Sequence, residues 1–75
     1  MKQLRYFTAV IEQDDDWYVA LCPELDIASQ GRSVEEARNN LAEAIELFFE
    51  AADTAEIEQR LHSGIFITQV GVPVG

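Results

Sequence analysis

This sequence is poor in cations, cysteine and histidine. Five Lys and Arg stand against fourteen Asp and Glu, a net charge of −9, with one cysteine and one histidine in 75 residues. Nucleic-acid affinity rests on counterion release by Lys and Arg, so this balance argues against a domain that holds DNA or RNA by itself. A lone Cys22 excludes an internal disulfide, and no Cys/His cluster has the spacing of a metal site. No apolar run approaches the ~20 residues of a membrane span. The N-terminus lacks the apolar core of a secretory signal, so a reduced, cytoplasmic setting is expected.

With those classes set aside, size becomes the constraint. A chain this short makes one domain, residues 1–75, and buries only roughly 60% of its unfolded surface. Small scaffolds need a staple: disulfides, a metal or association. The first two are missing, so a homodimer or higher homo-oligomer is expected. The acidic balance suits a basic protein partner, since complementary charge speeds encounter, although acidity alone also serves solubility.

Along the chain, residues 4–12 are rich in β-formers, with Phe7, Ala9 and Ile11 on one face and Tyr6, Thr8 and Val10 on the other. Residues 13–16 are an Asp-rich turn. Trp17 to Cys22 is a second strand, and the pair reads as a hairpin. Trp17, Val19 and Leu21 share one face; Tyr18, Ala20 and Cys22 share the other. Pro23 has no N–H for a ladder and ends the strand. Residues 24–26 connect to a short third strand, 27–30. Gly31 is placed for positive φ or a sharp turn.

Ser33-Val34-Glu35-Glu36 is a capping box: the Ser33 hydroxyl accepts from the Glu36 N–H and the Glu36 carboxylate reaches back. Val34, Ala37, Leu41, Ala44 or Ile45, Phe48 and Ala52 recur at helical spacing and give the helix its apolar face. Asp53-Thr54-Ala55-Glu56 is a second box, opening a helix from about 54 to 62 with Gly64 as its stop. Ile65 to Val72 reads as a last strand, paired in parallel by a right-handed crossover. The order β-β-β-α-(α)-β makes an α+β two-layer sandwich.

Candidate chemistry is sparse. Asp14, Asp15 and Asp16 invite a magnesium reading, but three consecutive carboxylates at a hairpin tip do not converge, and a solvated turn explains them. Glu12, Asp14 and Asp26 are the candidates for an acid–base pair. Such pairs need environments that separate their pKa values, and nothing in the sequence supplies them. His62 sits where a helix dipole stabilises a cation, with no nucleophile in suitable context. Ser33 and Ser63 are helix-end residues, and Cys22 reads as a small hydrophobe. One helix layer covers one sheet face. The other face, carrying either Trp17 or Tyr18, is then an interface candidate.

Three features together carry a family resemblance: Tyr18-Val19-Ala20-Leu21-Cys22-Pro23-Glu24-Leu25, then Ser29-Gln30-Gly31, then Ser33-Val34-Glu35-Glu36-Ala37 leading into a helix through Ala44-Ile45. Over roughly residues 4–51 the chain resembles the HicB family of type II antitoxins. The resemblance implies a partial ribonuclease-H-like fold and no catalysis. It implies a partner, the small basic toxin HicA, which has a double-stranded-RNA-binding-like fold and cleaves mRNA through a histidine that the antitoxin covers. Many HicB antitoxins also carry a C-terminal DNA-binding region. The chain reads as a short form without one, so direct operator binding is not expected.

The expectation is therefore a non-enzymatic binding protein without cofactor or metal. Asp14, Asp15, Asp16, Trp17, Tyr18, Glu24 and Asp26 are the partner-contact candidates. Pro23, Gly31, Ser33, Glu36 and Gly64 are structural. An orphan HicB-like oligomer with another partner is the alternative, followed by a metal-dependent ribonuclease-H-like nuclease.

Overall fold

The computed structural model describes residues 4–61 and 64–75. Three antiparallel strands are followed by two helices, an α+β arrangement: β1 Val10–Asp14, β2 Trp17–Cys22, β3 Ile27–Gly31, α1 Val34–Ala51 and α2 Thr54–Leu61. The sheet order is β1-β2-β3. Val10 faces Leu21 and Asp14 faces Trp17 in the first pair; Tyr18 faces Gly31 and Cys22 faces Ile27 in the second.

β1 begins at Val10 and runs to Asp14, not over 4–12 as its composition suggested. The reason lies on the neighbouring strand. Continuing the register past Val10 and Leu21 would set Thr8 opposite Pro23, which has no N–H to give. The ladder stops there. The Thr8 N–H donates instead to the Glu24 carboxylate at 2.9 Å. A side chain stands in for the missing strand partner. The hairpin tip is correspondingly tighter than expected, with Asp15 at φ 55. Asp tolerates this left-handed conformation better than most residues.

Helix α1 opens as its sequence indicates. Ser33 Oγ accepts from the Glu36 N–H at 3.0 Å. The Glu36 carboxylate reaches one residue further back than a standard capping box and accepts from the Arg32 N–H at 3.1 Å. Gly31 is required for closeness, since its φ is not in the left-handed region. A Cβ there would lie 2.6 Å from the Ala37 backbone nitrogen and 2.8 Å from the Glu36 carbonyl carbon. The missing side chain lets the first turn of α1 lie directly on β3. Asn40 Nδ2 then donates to the Gln30 carbonyl at 2.8 Å, tying the helix to the strand.

The fully buried core is small: Ala20, Cys22, Leu25, Ala37 and Leu41. Phe7, Ile11, Tyr18, Ile27, Ile45, Phe48, Phe49 and Leu61 pack around it. Phe49 holds Phe7 at 5.7 Å and Phe48 at 5.5 Å between ring centroids, within the range of favourable aromatic pairs. Val34, expected on the buried face, is half exposed, because the helix meets the sheet from Ala37 onward.

Helix α2 is capped by Asp53, whose Oδ1 accepts from the Glu56 N–H at 2.8 Å. It is fastened by Arg60. That side chain donates to the Leu25 carbonyl, lies 5.0 Å from the Phe48 ring centroid and pairs with Glu56 at 3.6 Å. His62 and Ser63 lie outside the described residues. Gly64 adopts φ 73, the left-handed conformation expected of a helix stop.

The strand expected over 65–72 is not part of the sheet. Residues 64–75 form no described helix or strand and are exposed throughout. A strand exists only by pairing, and this segment's β-forming composition has no partner within the sheet. The chain's radius of gyration is 14.6 Å, against about 11 Å for a compact chain of this length.

Candidate functional site

Alternation left two choices for the open sheet face, and packing decides between them. Tyr18, Ala20 and Cys22 point to α1 and join the core cluster. Trp17, Val19 and Leu21 therefore share the face the helix does not cover. Register adds their neighbours: Val10 beside Leu21, Glu12 beside Val19, Asp14 beside Trp17, and on the far side Ala28 and Gln30.

This face is apolar along its middle and acidic at one end. Val10, Trp17 and Leu21 are each about 40% exposed, at 41%, 38% and 38%. Val10, Glu12, Val19 and Leu21 border a shallow depression. Asp14, Asp15 and Asp16 rim the hairpin tip beside Trp17, all exposed. Arg32 closes the other side, its guanidinium 4.4 Å from the Trp17 ring centroid. A cation over a ring face at this distance is attracted by the ring quadrupole.

The seven candidate contact residues thus separate. Asp14, Asp15, Asp16 and Trp17 come together at the β1–β2 end. Tyr18 lies on the helix-covered face. Glu24 and Asp26 lie at the opposite end of the sheet, in the β2–β3 connection, with Asp26 at φ 55. Glu24 is engaged within the chain, accepting from the Thr8 N–H and, at 3.6 Å, from the Cys22 thiol. Alternation already places Val19 and Leu21 on the face of Trp17; sequence reasoning missed Val10 and Arg32 as members of the same surface. Only the register reveals it, since Tyr18 opposite Gly31 sets Trp17 next to Arg32.

Among the described residues, two titrating groups depart from their ordinary values, and both belong to the Glu24 cluster. Burial pushes the Cys22 thiol up, and the adjacent Glu24 carboxylate adds to the effect. A neutral, buried thiol is a poor nucleophile. Burial also works against charge on Glu24. Hydrogen bonds, those from Thr8 foremost and that from Cys22 with them, together outweigh it and hold that carboxyl below its usual range. Among the described residues, no three His, Cys, Asp or Glu side chains are grouped to hold a metal ion. Among them too, no helix is long and apolar enough to cross a membrane.

Two proteins of known sequence match about two thirds of this chain. The chain is 46% identical over 50 residues to a UPF0150 protein of Helicobacter pylori, covering 65% of this chain and 69% of that one. It is 44% identical over 52 residues to a UPF0150 protein of Synechocystis sp., covering 67% of this chain and 66% of that one. The chain thus spans about two thirds of each relative's length. No protein-family profile matches it, and no solved structure does.

Proposed function

The chain belongs to the UPF0150 family, and on that premise we propose that it is a HicB-like, non-enzymatic binding protein that sequesters a small basic HicA-type ribonuclease toxin by covering its active site. UPF0150 includes HicB-like small proteins. The observation that carries the reading is the open sheet face. It presents Val10, Trp17, Val19 and Leu21 with Glu12 and the Asp14–Asp16 rim beside them. An apolar centre with a charged margin is the usual composition of a protein-binding surface. Its charge is opposite to that of the proposed partner.

The chemistry of blockade asks little of the binding protein. Trp17, half exposed and held by Arg32, is a preorganised aromatic anchor of the kind that dominates interface energetics. Glu12 and Asp14–Asp16 steer a cationic partner to it, raising the rate of encounter more than the final affinity. A steric block needs no nucleophile and no proton transfer. Support also comes from the sequence resemblance over roughly residues 4–51, whose Pro23, Gly31, Ser33 and Glu36 all act in this structure as folding devices.

The test is capture. The protein is coexpressed with a small basic protein encoded beside its gene, and one of the two is tagged. Stoichiometric co-purification that weakens with salt is expected. A complex that forms equally well when Trp17 and Leu21 are both replaced by Asp contradicts the assignment of this face.

A further inference from the structure

We infer that this protein associates with a second copy of itself by exchanging its C-terminal arm, residues 65–74, into the partner's cleft between residues 4–9 and helix α1. Each chain then gives a strand and receives one. This inference does not depend on the antitoxin reading, since neither the arm nor the cleft lining includes a residue of the open sheet face.

The donor half is the arm. Phe66 is 90% exposed and Val70 81%, with Ile67, Val72 and Val74 more than half exposed and Ile65 a little under half. At period two, Phe66, Thr68, Val70, Val72 and Val74 fall on one face, a continuous apolar edge with one hydroxyl. No residue from 64 to 75 is charged, in a chain of net −9. It is therefore a long stretch that meets another acidic copy without adding charge repulsion. A flat, apolar, uncharged strand left in water is an association hazard that proteins otherwise cover.

The acceptor half is an open cleft of about 770 Å³ lined by Leu4, Tyr6, Phe7, Leu41, Ile45 and Phe49, among others. Leu4 and Tyr6 are 79% and 88% exposed. Residues 4–9 lie beyond the point where Pro23 ends the β1–β2 ladder, so this backbone lacks a strand partner. β1 is also a sheet edge. An extended peptide adds to such an edge through main-chain hydrogen bonds and sets alternate side chains into apolar pockets. Alternate residues on this face, such as Val70, Val72 and Val74, stand about 6.6 Å apart, close to the roughly 6 Å that separates Leu41, Ile45 and Phe49 along the helix.

Two arguments select a second copy as occupant. The chain carries both halves of the fit, so a two-fold pair satisfies each arm and each cleft at once. The area is also adequate: Phe66, Val70, Val72 and Val74 leaving water on each of two arms, together with the cleft residues they cover, remove on the order of the ~1,600 Å² of a specific interface. Among the described residues the buried core is five side chains, and association supplies what a domain of this size lacks.

The test uses the whole chain. Light scattering coupled to gel filtration is expected to give a dimer. Phe66→Asp with Val70→Asp is expected to give a folded monomer with an unchanged circular-dichroism spectrum. Leu47→Asp, an exposed helix residue outside the cleft, is expected to stay dimeric. A chain carrying Ala9→Cys, mixed with a separately purified chain carrying Val70→Cys, is expected to form a mixed disulfide between the two. A monomer at every concentration overturns the inference, whether its arm folds back or stays free. So does a dimer that persists with both arm substitutions.

Discussion

The Thr8 N–H donates to the Glu24 carboxylate at 2.9 Å, across the gap where Pro23 leaves β1 without a strand partner. One side chain thereby fixes the approach of residues 4–9 and with it one wall of the apolar cleft.

Glu24 makes stability depend on acidity. Its carboxyl is held below its ordinary value of 4.5 in the folded chain by the Thr8 hydrogen bonds, against the cost of burial. The unfolded chain therefore takes up the proton first as pH falls. The contribution is present above about pH 4.5 and is lost as pH drops through the lower folded value. Glu24→Gln should cost about 1 kcal/mol at neutral pH and should flatten the loss below pH 4.5. Urea unfolding at pH 7 and across the acid range measures both. An unchanged acid slope would remove Glu24 from this role.

Gly31→Ala should destabilise by about 1–3 kcal/mol, the usual range for overpacking. The new Cβ meets backbone at 2.6 Å and 2.8 Å, and backbone cannot swing aside. The helix must lift from β3, which also stretches the Asn40 to Gln30 bond. Thermal unfolding of the variant against the parent checks this.

Arg60→Lys should loosen α2 while sparing the sheet. Lysine keeps the charge but loses the planar guanidinium that stacks on Phe48 and the fork that reaches both the Leu25 carbonyl and Glu56. Faster amide exchange confined to residues 54–61, with strand protection unchanged, is the expected pattern. Uniformly faster exchange would mean that Arg60 supports the whole fold.

Trp17→Ala should weaken partner binding at least tenfold with little effect on the fold. The side chain is 38% exposed and lies outside the core. Truncating a central aromatic anchor typically costs 2 kcal/mol or more of binding. Calorimetric titration reads the loss, and the parent's melting temperature serves as control.

Local signals in the sequence translated well into structure. The hairpin, the short β3, the Ser33 cap and both helices rest on interactions within a few residues, and all are found. Features that depend on a distant partner did not translate. β1 is cut short by a proline on the neighbouring strand. Gly31 is required by a helix turn five residues on, not by its own φ. Strand β2 is apolar on both faces, so alternation could not say whether Trp17 or Tyr18 faces water; Ala37 and Leu41 settle it by packing on Ala20 and Cys22. The 65–72 segment has strand composition, but strand structure needs a partner that no local pattern names. Of the contact candidates, the Asp14–Trp17 group was legible because it is contiguous. Arg32 and Val10 join it only through register.

The most direct measurement is inhibition. Purified HicA-type toxin is titrated with this protein while cleavage of a messenger RNA is followed. Cleavage should stop near equimolar protein, and the Trp17→Ala variant should need at least tenfold more. A toxin from the adjacent gene that stays fully active at excess protein would contradict the account.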